Sequence, residues 1–91
     1  MRSEVFELIR HYARLVPITE LQWPSKTPVC EIQRDLIDHI LDNAHFTDYP
    51  PSLSYQKRFW KWVVEKIEEA DESADDRIYE KLTYLICQGS S

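Results

Sequence analysis

Apolar residues recur along this chain at helical spacing, and the pattern predicts four helices. In the first, from about Ser3 to Val16, residues Val5, Phe6, Leu8, Ile9, Tyr12, Ala13 and Val16 fall largely on one stripe. Ser3 reads as its N-cap, Glu4 and Glu7 complement the positive end of the helix dipole, and Pro17 ends it. From Ile18 to Lys26 no period is clean, and Leu21 and Trp23 are the apolar anchors. A second helix starts at Pro28, with Thr27 as cap and proline at the first helical position, where its missing N–H does no harm. Its stripe is Ile32, Leu36, Ile37, Ile40 and Leu41.

The run Tyr49-Pro50-Pro51-Ser52-Leu53-Ser54-Tyr55 reads as a stop, a turn and a new start. Proline cannot continue a helix and pushes the preceding residue into extended geometry. Ser52 or Ser54 then caps a third helix, from about Leu53 to Ala70. Tyr55, Phe59, Trp62, Val63, Lys66 and Ile67 are its expected core face, with Trp60 and Val64 to one side. Trp60 and Trp62 lie about 200° apart around the axis, so both cannot enter one small core. The fourth helix, about Ala74 to Cys87, takes Ser73 as cap, Asp75 and Asp76 in its first turn, and a stripe of Ile78, Tyr79, Leu82, Leu85 and Ile86. No strand pattern competes. The expected fold is all-α, a small bundle of about four helices with short loops, forming one helical domain over 1–87 and a flexible polar tail over 88–91.

Composition removes several function classes. No apolar run approaches the length that spans a bilayer, and the N-terminus has no apolar signal core. The net charge of −5 is unevenly spread. Up to Val64 eight basic residues balance eight acidic ones, whereas from Glu65 onward three basic residues face eight acidic ones. A nucleic-acid binder needs a basic face, and none is offered. Gly89 is the sole glycine, so the turns that let backbone approach a phosphate or a nucleotide-like cofactor are missing, and no cofactor is expected. Cys30 and Cys87 lie outside any CxxC or metal-ligand spacing and read as reduced, partly buried thiols of a cytoplasmic protein. His11, His39 and His45 form no ligand set; Asp35–His39 is an i, i+4 pair that reads as a solvated helix face with a modest ion pair. No serine or cysteine stands at an interpretable spacing from a histidine, so no catalytic residue and no metal ligand is assigned.

Two features are left as candidates for recognition. The acidic run Glu65, Glu68, Glu69, Asp71, Glu72, Asp75 and Asp76 lacks the glycine and alternating oxygen ligands of an EF-hand loop, and is either a solvated loop and helix start or a surface for a basic partner, which it would steer more than it would bind. Trp60 either packs against the Trp23 loop or stands exposed as an anchor, with Val64 beside it and Lys57, Arg58 and Lys61 as a polar rim. The partner-binding surface expected from these readings is Trp60, Val64, Glu68, Glu69, Asp71, Glu72, Asp75 and Asp76.

The pattern Pro50-Pro51-Ser52-x-x-Tyr55-x-x-x-Phe59, an acidic gap, and Asp76-x-x-Tyr79-Glu80-x-Leu82 resembles the N-terminal helical domain of the eukaryotic elongation factor 2 lysine methyltransferase family. In that family the helical domain precedes an S-adenosylmethionine-dependent catalytic domain, which has no counterpart in these residues. The resemblance therefore implies a non-catalytic module that recognises or positions a protein, with a translation elongation factor or a methyltransferase domain as partner. A purely structural domain or truncated isoform, stabilising a catalytic domain and having no partner of its own, is the alternative.

Overall fold

The computed structural model describes residues 3–24 and 26–89, and among them there are helices and turns but no strand. The all-α expectation holds. The chain divides into two compact units, Met1–Pro50 and Pro51–Ser91, with the boundary inside the diproline.

In the first unit, α1 spans Ser3–Ala13 and buries Val5, Leu8 and Tyr12, an i, i+3, i+7 set that lines one face. It stops before Pro17, because Leu15 turns left-handed at φ 58°. The Leu15 N–H bonds the Tyr12 carbonyl (3.1 Å) and the Val16 N–H bonds that of His11 (3.0 Å). This is a Schellman ending, in which glycine normally holds the left-handed position. Leucine there is strained and exposed, so Leu15→Gly is expected to stabilise the protein by about 1 kcal/mol despite glycine's entropy cost. Chemical denaturation would show the midpoint rising; an unchanged or lower midpoint would mean that the position is not strained.

A short 3-10 turn, Ile18–Glu20, delivers the buried Leu21. The backbone N–H of Lys26 (3.2 Å) and the Thr27 hydroxyl (3.0 Å) then both donate to Glu4, fastening this loop to the first turn of α1. Thr27 is thus spent on Glu4. Pro28, not Thr27, occupies the cap position of α2 (Val29–Leu36), where no side chain caps the helix. The helix loosens at Ile37–Leu41 into a π turn, closed by the bond from the Asp42 N–H to the Ile37 carbonyl (2.9 Å). Ile32, Leu36, Ile37 and Ile40 are buried as their spacing predicts. Asp35 is buried too, and His39 lies edge-on to Phe6 at 5.1 Å, so this pair is not the solvated face that the i, i+4 spacing suggested. A fifth helix that the apolar pattern does not announce, α3 (Ala44–Asp48), is capped by Asn43, and its Phe46 meets Tyr12 edge-on at 5.2 Å.

The second unit is a helical hairpin. Ser52 caps α4 (Leu53–Glu69) by accepting the Tyr55 N–H. Gln56 is buried and donates its side-chain amide to the Pro51 carbonyl at 2.7 Å, tying the incoming chain to the first turn. The buried stripe is Gln56, Phe59, Trp60, Val63, Val64 and Ile67. Trp60 therefore faces inward and Trp62 is only half-buried, the reverse of the order expected from the sequence. The helix ends in a second Schellman turn with Asp71 left-handed at φ 59°. Asp75 caps α5 (Asp76–Gly89), its carboxylate accepting the Arg77 N–H at 2.9 Å, and so does the work expected of Ser73. Ala74, Ile78 and Leu85 are buried, Leu82 is half-buried, and Tyr79 and Ile86 are exposed. Gln88 and Gly89 continue α5, while Ser90 and Ser91 lie outside the described residues.

Candidate functional site

Burial sorts the expected partner surface into two groups. Trp60 is 0 % exposed and Val64 is buried beside it on the inner stripe of α4. Trp60 meets Phe59 edge-on at 5.1 Å. Neither side chain is presented to a partner, and the exposed-anchor reading of Trp60 gives way to a structural one. The cause lies in the wheel of α4. Phe59, Val63 and Ile67 fix the inward direction, and Trp60 and Val64 flank it on the apolar side. The opposite flank carries Trp62 and the charged Lys66, which reaches toward Glu69 at 3.9 Å.

Glu68, Glu69, Asp71, Glu72, Asp75 and Asp76 are all exposed, in the last turn of α4, the connection and the start of α5. Part of this charge has a local task. Asp75 caps α5 and Glu68 accepts the Tyr79 hydroxyl at 3.1 Å. That bond stabilises the neutral phenol beside a carboxylate and pushes the Tyr79 pKa above its ordinary 10.0.

The outward side of α5 adds what the sequence reading did not single out. Tyr79 is 37 % exposed, Tyr84 55 % and Ile86 47 %, all large apolar or amphipathic side chains on one short helix. Tyr79 and Tyr84 line an open depression of about 670 Å³ together with Asp76, Glu80 and Thr83. The Lys81 ammonium stands 5.7 Å from the centre of the Tyr84 ring. Partial burial desolvates the Lys81 ammonium and lowers its pKa. The available signal was Tyr84 itself, an aromatic residue outside the apolar stripe of its helix.

Other chemistry is sparse. Among the described residues no group of three or more His, Cys, Asp or Glu side chains is placed to hold a metal ion. Cys30 and Cys87 are both exposed rather than partly buried, and neither forms a disulfide. No helix among the described residues is long and apolar enough to cross a membrane. No family model, curated protein or solved structure matches the chain.

Proposed function

We propose that this chain is a non-catalytic helical module that binds a protein through the outward side of α5. The observation that supports this most is the exposure of Tyr79, Tyr84 and Ile86 on one helix, next to an acidic connection. Tyr79 and Ile86, seven positions apart, share one flank of the helix while Tyr84 stands on the other, and tyrosine is among the commonest energetic anchors of interfaces. The acidic residues around them would steer a basic surface into encounter. The contact surface of this reading keeps Glu68, Glu69, Asp71, Glu72, Asp75 and Asp76 and replaces Trp60 and Val64 with Tyr79, Tyr84 and Ile86. The motif resemblance to the accessory domain of a protein-lysine methyltransferase suggests the class of partner: a translation elongation factor positioned as substrate, or a methyltransferase domain.

Affinity capture from eukaryotic cytosol, with the wild type beside Ile86→Ala, tests the reading. A protein enriched by the wild type is expected to fall by about tenfold with the variant, the loss typical of truncating one anchor. Equal recovery by both baits, or no enriched protein at all, would overturn it. The same apolar residues favour a second, purely structural reading, in which they are covered by a catalytic domain. On that reading the chain alone self-associates as its concentration rises, which sedimentation velocity would detect.

A further inference from the structure

We infer that the depression on α5 receives a lysine or arginine side chain from a basic segment of the partner, seated between Tyr79 and Tyr84 above Asp76 and Glu80. This deepens the protein-interaction reading and rests on it. At about 100° per residue, Asp76, Glu80 and Thr83 run up one line of the helix, with Tyr79 on one side and Tyr84 on the other. All five line the depression. Two ring systems flanking carboxylates suit a cation: the rings attract it through their faces, and the carboxylates supply charge and acceptors.

The chain already shows half of this chemistry, because the Lys81 ammonium sits 5.7 Å from the Tyr84 ring. By helical angle Lys81 lies on the far side of Tyr84 from Asp76 and Glu80, so it leaves the carboxylate side of the depression to an incoming group. The positive end of the α5 dipole would oppose a cation here, and Asp75 and Asp76 offset it.

Charge decides among occupants. From Glu65 onward eight acidic residues face three basic ones, and the excess lies at the end of α4 and in the connection leading into the depression, where it would repel a second copy. A neutral apolar helix would leave Asp76 and Glu80 desolvated without a partner. A basic segment meets both the rings and the carboxylates.

Fluorescence anisotropy with the full chain and a labelled helical peptide of leucine, lysine and arginine tests this, beside the same peptide with glutamate at every basic position. The basic peptide is expected to bind and the acidic one not to. Glu80→Gln and Tyr84→Leu should each weaken binding about threefold, whereas Tyr84→Phe, which keeps the ring, should match the wild type. Added salt should weaken binding in the wild type more than in Glu80→Gln. Equal binding of the acidic peptide, or affinities unchanged by Glu80→Gln and Tyr84→Leu in variants whose thermal melts match the wild type, would overturn the inference. Ile86 lies outside the depression. A partner lost with Ile86→Ala alongside a basic peptide indifferent to Glu80 and Tyr84 would therefore overturn the cation site and leave the interaction module standing. Failure of both experiments would remove both.

Discussion

Trp60→Ala is expected to lower the free energy of unfolding by about 3–5 kcal/mol, the cost of replacing a large buried aromatic with a cavity. Trp60 is fully buried and packs edge-on against Phe59 in the middle of α4, with Val63, Val64 and Ile67 on the same inner stripe. Domains of this size have about 5–15 kcal/mol in total, so the variant should lose a large fraction of its stability. Its melting temperature should fall by about 12 °C or more. Trp60→Phe should behave differently. Its ring still fills most of the site, and it removes an indole N–H that is buried without an acceptor among the described residues. An unsatisfied buried donor costs about 1–3 kcal/mol, so losing it offsets part of the lost volume. Thermal melts followed by circular dichroism separate the cases. If Trp60→Ala melts like the wild type, Trp60 is not enclosed and its role as an exposed anchor returns. Any partner binding lost in Trp60→Ala would report unfolding, which makes that variant unsuitable for mapping the contact surface.

The burial of Trp60 shows how far the residues alone could be read. Phe59, Val63 and Ile67 belong to either candidate stripe of α4, so helicity and the general inward direction were legible. Which flank turns inward depended on comparing Val64 with Lys66. The charged residue marks the solvent side, and giving that comparison priority over the size of Trp62 would have placed Trp60 correctly. Gln56 could not be found this way. A polar residue on an inner stripe is explained only once the diproline turn brings the Pro51 carbonyl within 2.7 Å of its amide. Leu15 is similar: nothing in a leucine announces a left-handed helix end, since that residue is disfavoured there. The caps divide in the same way. Ser52 follows a proline pair and was legible, whereas Ser73 and Asp75 both suited the start of α5 and only the bond to the Arg77 N–H chooses Asp75. The acidic residues were legible as exposed because a connection between helices carries them. Of the aromatic half, Tyr84 was legible as an aromatic residue outside the apolar stripe, whereas Tyr79 was not, because it sits at the edge of a stripe whose boundary depends on how α5 packs.

Leu85→Ala and Ile86→Ala are adjacent substitutions with opposite expected consequences. Leu85 is 1 % exposed and Ile86 47 %, because neighbouring helical positions point about 100° apart. Removing the Leu85 side chain opens a cavity on the inner face of α5 and should cost about 2–5 kcal/mol. Ile86 already meets solvent, and alanine is the better helix former, so its replacement should change stability by no more than about 0.5 kcal/mol. Chemical denaturation of the two variants measures this directly. Comparable losses would place Ile86 in the core, as the apolar spacing alone suggests, and would leave α5 without an outward anchor. A large loss for Leu85→Ala with an unchanged Ile86→Ala shows that Ile86 contributes little to folding and stands at the surface of α5. That outcome fits the proposed role of Ile86 as a contact residue, because an exposed isoleucine gains from contact when water is removed from it.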